Sequence, residues 1–280
     1  MRFGVNTLIW SGHFDREQLR LLPSLKEAGF DGIEIARFNW DGFPAAEVKS
    51  ALDEHGLKCT ICSALTGTTS LASEDAGSRA DARKLIEDTL RAGAAIGAET
   101  VAGPFVAPVG HLPGRRRTED EWKRVVEGLQ AVAPVLEETG VKLAVEPLNR
   151  FETYFLYTVE DGVRLCEEVG HSQVGLLVDT FHSNIEEKHV AEAYRIAAKH
   201  LFHVHTCEND RGIPGTGHIP WPAVVEALRD AGYDDWCVIE SFGFRIPEIA
   251  AAACIWRDIA PSPESIAFQG LSFLRRQFSR

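Results

Sequence analysis

Four short apolar runs in the second half of the chain each end in a side chain able to hold a hard metal ion. VKLAVE ends at Glu146, VGLLVD at Asp179, LFHVH at His205 and WCVIE at Glu240. The separations are 33, 26 and 35 residues, about one strand-plus-helix unit each. Strands of a parallel sheet are buried on both faces and therefore read as unbroken apolar runs. A polar residue at the C-terminal end of such a strand leaves the core for the mouth of a barrel or crevice, where α/β folds bind ligands. One carboxylate in that position is ordinarily a helix cap or loop residue. Four in phase point instead to a shared oxygen-rich site for Mn²⁺, Mg²⁺ or Co²⁺.

The rest of the chain repeats the same unit. RFGVNTLI, GIEIA (Gly32–Ala36), Leu57–Ala64 and Glu99–Phe105 read as four earlier strands. Helices are expected over 16–28 (bent at Pro23 and stopped by Gly29), 45–55, 80–96 and 118–139. The last begins in a capping box, Thr118 with Glu121, and Pro134 predicts a kink in it. Further helices are expected over 159–169, 186–199, 222–231, 246–256 and 262–278. Eight strand–helix repeats with no break in composition favour a closed (β/α)₈ TIM barrel, with residues 1–280 as one domain. No glycine fingerprint follows an early strand, and Gly212–Gly217 carries a proline and no following helix start, so nucleotide phosphate binding is not expected.

A net charge of −12 lacks the basic footprint a nucleic-acid binder needs. The Arg115–Arg117 run is read as a solvated loop, and the Gly- and Pro-rich stretch 103–114 before it as a candidate lid. No apolar stretch reaches membrane-spanning length and the N-terminus does not read as a signal peptide, so a cytoplasmic location is expected. Cys59 and Cys62 have redox spacing, but on a strand residues i and i+3 face opposite sides, so they are read as structural thiols.

EPLNRFETYF (146–155), DTFHSNIEE (179–187), HTCENDRGIPGTGHIPW (205–221) and ESF (240–242) together resemble the ketose 3-epimerases. These are the D-tagatose, D-allulose (D-psicose) and L-ribulose 3-epimerases of the xylose isomerase-like barrels. The resemblance is close over the second half and weaker before it. It implies that Glu146, Asp179, His205 and Glu240 ligate one divalent ion per subunit, Mn²⁺ foremost with Co²⁺ or Mg²⁺ as alternatives. It implies further that Glu152, His182 and Arg211 bind oxygens of a small sugar, and that the chain forms a homodimer or homotetramer. At the end of the first strand some relatives carry tyrosine and this chain has Asn6, which leaves the choice between pentuloses and hexuloses open.

The chemistry can be argued from the residues alone. A hydrogen α to a ketone is too weakly acidic for a free carboxylate at neutral pH, and a divalent cation stabilises the cis-enediolate formed when it leaves. Inversion needs proton access to both faces, which Glu146 and Glu240 provide as acid and base from two strand ends. Arg211 is expected to hydrogen-bond the enediolate oxygens, and His182 to orient the same oxygens or to sit behind them. Glu34 is read either as a mouth residue or as a buried carboxylate, His203 as packed in the layer below His205, and Glu208 and Asp210 as solvated. Trp10, Phe105 and Phe242 are candidates for an apolar wall. The rival readings are an abasic-site endonuclease on the same barrel, an aldose–ketose or hydroxypyruvate isomerase, and a non-catalytic sugar-binding barrel.

Overall fold

A computed structural model describes residues 1–279 of the chain. Strands β1 (Arg2–Asn6), β2 (Gly32–Ala36), β3 (Lys58–Cys62), β4 (Thr100–Gly103), β5 (Lys142–Val145), β6 (Val174–Asp179), β7 (Leu201–His205) and β8 (Trp236–Ile239) pair in chain order. Every pairing is parallel and β8 closes on β1. The expected (β/α)₈ barrel is the observed fold.

The outer layer follows the local chemistry of each segment. The first helical stretch is a 3₁₀ turn, Arg16–Leu21, capped by Asp15, and only then α1 (Leu22–Ala28), which has Pro23 in its first turn and ends on Gly29 at φ 93°. Helix α2 (Ala45–His55) has the expected bounds. Helix α3 (Ala76–Ile96) starts four residues before position 80, because the Asp75 carboxylate accepts the N–H groups of Gly77 and Ser78. The capping box of Thr118 and Glu121 opens α4 (Glu119–Gln130). At Pro134 the expected kink is a full break, and α5 (Ala133–Thr139) begins anew. Helix α6 (Val159–Val169) agrees with expectation.

The helix expected over 186–199 forms only over Val190–Ala197, and a separate short helix precedes it. Asp179 accepts the N–H of Phe181 and starts α7 (Thr180–Glu186) directly at the strand end. The backbone then turns extended at Glu187 and His189, before α8 (Val190–Ala197). Helix α9 (Trp221–Asp230) follows β7; after β8, α10 shrinks to Pro247–Ala252, and α11 (Pro263–Phe278) packs back on the barrel.

Inside the barrel the side chains fall into two kinds. Ala102, Ala144 and Leu177 form a small apolar cluster separate from the main core. The opposite side is polar: Asn6, Glu34 and Thr60 are neighbours across β1–β2–β3, and all three are buried. A register shift between β6 and β7 absorbs Phe202, so that His203 lies beside Leu177 and His205 beside Asp179. This shift sets both β7 histidines toward the interior. At the rim, Gly103 sits at φ 140°, where a Cβ would fall 1.9 Å from the Ser63 carbonyl oxygen. Its own carbonyl accepts the N–H of Glu146 at 2.9 Å, so this close approach places the first residue of the site. Among the described residues, no helix is long and apolar enough to cross a membrane.

Candidate active site

Glu146, Asp179, His205 and Glu240 converge at the C-terminal mouth of the barrel, one ligand-capable atom of each lying within 4.8 Å of the others. All four are buried. Asp179 divides its carboxylate between two tasks: Oδ1 caps α7 while Oδ2 faces the centre. His205 Nδ1 lies 3.3 Å from Glu240 Oε2 and 4.0 Å from Asp179 Oδ2. Two buried atoms at this centre, Glu146 Oε1 and His205 Nδ1, have no hydrogen-bond partner. Three carboxylates and an imidazole turned inward, with lone pairs unanswered, form a donor set that fits a hard or borderline divalent ion.

The electrostatics tell the same story. Burial, then the charge of Glu240, pushes the Glu146 carboxyl well above the ordinary range. Burial also acts on Glu240, but His205 and Arg211 more than offset it and hold that carboxyl at about 2. Positive charge is what this cluster lacks, and a cation relieves the repulsion that raises Glu146.

Arg211 supplies part of that charge. Its Nη1 donates to Asp179 Oδ2 at 2.7 Å and to Glu240 Oε2 at 2.8 Å, and its guanidinium lies over the Phe181 and Phe242 rings. His182 stands on α7 rather than in a loop, because the capped helix begins at Asp179. Its Nδ1 accepts the N–H of Asn149 at 3.0 Å, which leaves the proton of the neutral ring on Nε2. Burial, then the charge of Arg211, pushes its pKa well down, so the ring is neutral. His182 Nε2 lies 3.1 Å from Arg211 Nη2 and 3.6 Å from Glu146 Oε1. Glu152 is half-buried in the loop after β5, accepting from the Asn149 side-chain amide at 2.7 Å; burial raises its carboxyl.

The loop from Thr206 to Pro220 corrects one expectation. Glu208 is fully buried, not solvated. Its Oε1 accepts the N–H groups of Asn209 (3.2 Å) and Ile219 (3.0 Å), and its Oε2 accepts those of Gly215 (2.7 Å) and the Trp221 indole (3.0 Å). The Gly-rich segment 212–217 thus wraps a carboxylate of the chain itself, and Arg211 is held at φ 63° beside it. Asp210 is partly exposed, accepting the Gly212 N–H and pairing with Arg257. The arginine run is likewise not purely solvated. Arg115 pairs with buried Glu121, while Arg117 pairs with Asp161, donates to the Phe155 carbonyl and covers the Trp122 ring.

Of the loop considered as a lid, Phe105, Val106 and Ala107 are packed into the core, and Gly110 donates to the Glu152 carbonyl. Phe105 is core, Trp10 reaches Glu264 from the rim, and Phe242 lies against Arg211. Cys59 faces the outer layer, at the Ile96 carbonyl, and Cys62 faces inward toward Glu240. Cys207 was missed: its Sγ lies 3.3 Å from Asp179 Oδ2 and 3.0 Å from Arg211 Nη1. Its place two residues after His205, on the same face of an extended chain, was the available signal. Glu34 and His203 are fully buried below the site. His203 Nε2 and His205 Nε2 each lie 2.7 Å from one Glu34 oxygen.

A closed parallel barrel carrying three carboxylates and a histidine at its mouth defines a class, and the comparisons agree with it. The xylose isomerase-like TIM barrel family matches residues 22–277, and the chain belongs to that family. Within it the similarity narrows. A Synechocystis sp. protein named "Probable ketose 3-epimerase" is 39% identical over 99% of this chain and 97% of its own length. The D-psicose 3-epimerase of Ruminiclostridium cellulolyticum is 31% identical over 93% of this chain and 90% of its own. A solved L-ribulose 3-epimerase superposes with a TM-score of 0.94 at 31% identity, covering 99% of this chain and 94% of that one. The chain is a member of the ketose 3-epimerases, an isomerase-class group of this barrel family.

Proposed function

We propose that this chain inverts C3 of a free ketose, using one divalent ion held by Glu146, Asp179, His205 and Glu240 and two glutamates that exchange the proton on opposite faces. The observation that carries the reading is the convergence of those four side chains with two buried acceptor atoms left unpaired. When bound, the ion would supply Lewis-acid stabilisation of the negative charge that builds up beside C3. We take Mn²⁺ as its occupant, with Co²⁺ or Mg²⁺ as substitutes.

The residues divide the remaining work. Glu146 and Glu240 follow β5 and β8, which are three strands apart on an eight-strand ring, so they approach the mouth from well-separated directions. A planar intermediate between them presents one face to each, which inversion requires and simple binding does not. Arg211 Nη2 and the His182 Nε2–H are two donors facing each other at 3.1 Å. Neither can satisfy the other, and an acceptor oxygen of the sugar set between them would satisfy both. Glu152, at the edge of the same space, would accept from a sugar hydroxyl.

The barrel that closes from Arg2 to Ile239 supports reading residues 1–280 as one domain, and we expect it to work in the cytoplasm as a homodimer or homotetramer. The protein stripped with chelator and reloaded with Mn²⁺, Co²⁺ or Mg²⁺ should interconvert members of a panel of free ketoses differing only at C3. Aldose formation from the same panel, with no C3 epimer, would move the reading to an aldose–ketose isomerase.

A further inference from the structure

Outside the reacting centre stands Glu34, a carboxylate with no exposed surface in the barrel interior, below the mouth. Its two oxygens take four donors. Oε1 accepts from the Asn6 amide at 3.0 Å and faces His205 Nε2 at 2.7 Å, and Oε2 accepts from the Thr60 hydroxyl at 2.9 Å and faces His203 Nε2 at 2.7 Å. Asn6 and Thr60 are its register neighbours on β1 and β3, while both histidines come from β7 across the barrel. The carboxylate is thus fixed by its own side of the sheet and reaches over the interior to the opposite wall.

A carboxylate oxygen only accepts, so a ring nitrogen 2.7 Å from it must carry a proton. That keeps a proton on His205 Nε2, so that with an ion bound the ring's lone pair lies on Nδ1, the atom that faces Asp179 and Glu240. The other tautomer would set a lone pair against Glu34 and an N–H toward the ion, and could not ligate it. A carboxylate behind a ligating imidazole also makes the ring a stronger donor. We propose that Glu34 is a positioning residue of the metal centre, fixing His205 with its proton on Nε2 so that Nδ1 is presented to the ion. This rests on the metal reading above. His203 takes up the second oxygen and ties the clamp to one orientation; its Nδ1 is buried and unpartnered, so it is free to exchange tautomers.

That freedom makes Glu34→Gln informative. The amide oxygen can keep His205 as a donor while the amide NH₂ turns to His203, whose proton then moves to Nδ1. The charge is lost and the His205 tautomer kept. Mn²⁺ affinity, titrated on metal-free wild type and variant by competition with a fluorescent chelator, should fall by about 10–100-fold, with the circular-dichroism spectrum unchanged. Proton NMR of ¹⁵N-histidine-labelled wild type with saturating Mg²⁺ should show exchange-protected Nε2–H signals from both His203 and His205, of which the variant retains that of His205 and loses that of His203. A folded variant with wild-type Mn²⁺ affinity would overturn the proposal. So would wild-type His205 protonated on Nδ1 in the Mg²⁺-loaded protein, a measurement that decides the matter even if the variant does not fold. Wild type with no Mn²⁺ affinity at all would instead remove the metal reading on which it stands.

Discussion

Replacing Glu208 by glutamine probes how the loop after β7 holds Arg211. The substitution keeps the volume and one acceptor oxygen. Whichever way the amide turns, its NH₂ group faces two N–H donors, either those of Gly215 and Trp221 or those of Asn209 and Ile219. Two hydrogen bonds to a charged group are lost, each worth about 1.5–3 kcal/mol, so the closed loop is weakened by about 3–6 kcal/mol before it relaxes. Relaxation releases the turn that holds Arg211 at φ 63°. Because each ~1.4 kcal/mol of lost transition-state stabilisation is tenfold in rate, even half of the smaller figure lowers kcat/KM by about 10-fold. Mn²⁺ should bind no more weakly, since Glu208 touches none of the four ligand side chains and a loosened Arg211 removes a competing positive charge. The assays are steady-state kinetics on the best ketose of the panel, chelator-competition titration, and hydrogen exchange at the Gly215 and Ile219 amides. Wild-type kcat/KM together with wild-type protection of those amides would refute the argument.

Four other substitutions test separate parts of the account. Glu146→Gln and Glu240→Gln should each cut net epimerisation by about 10²–10⁴-fold. With metal occupancy measured alongside, each should still exchange the C3 hydrogen of one epimer only, and of opposite epimers; full activity in either would rule out two bases. Glu121 is held at about 2 chiefly by Arg115, with the Thr118 N–H and the Tyr154 hydroxyl assisting. A depressed carboxyl stabilises the fold above its ordinary pKa and loses that contribution as pH falls through the folded value. Glu121→Gln should therefore cost about 2–3 kcal/mol at pH 7, with the gap in denaturation midpoint closing between about pH 4.5 and 2; a gap independent of pH would contradict it. Gly103→Ala combines a disfavoured φ with a collision against the Ser63 carbonyl, and about 2–6 kcal/mol of destabilisation is expected in urea denaturation.

The barrel and the four strand-end side chains were legible because both are periodic. Apolar runs recur at the length of a βα unit, and polar residues recur at their ends. What escaped depended on side-chain pairing across the chain. Glu208 is acidic and lies in a polar run just before the Gly-rich segment 212–217, so local composition reads it as solvated, and only the fold brings Gly215, Ile219 and Trp221 around it. Helix α7 was missed because its cap, Asp179, is also the last residue of a strand, so one residue carries two boundary signals. Glu34 could not be assigned from the sequence, because its partners on β7 lie 169 and 171 residues away. Arg117 reads as one of three adjacent charges until Asp161 and the Trp122 ring are placed beside it.

The central claim is that this barrel removes and returns the hydrogen at C3 of a ketose with the help of a divalent ion at Glu146, Asp179, His205 and Glu240. Incubation in D₂O with each ketose of the panel, followed by NMR of the recovered sugar, measures that step directly. The account predicts deuterium at C3 in both epimers, abolished by chelation and restored by Mn²⁺. Epimerisation with no solvent deuterium at C3, or incorporation confined to C1, would contradict it.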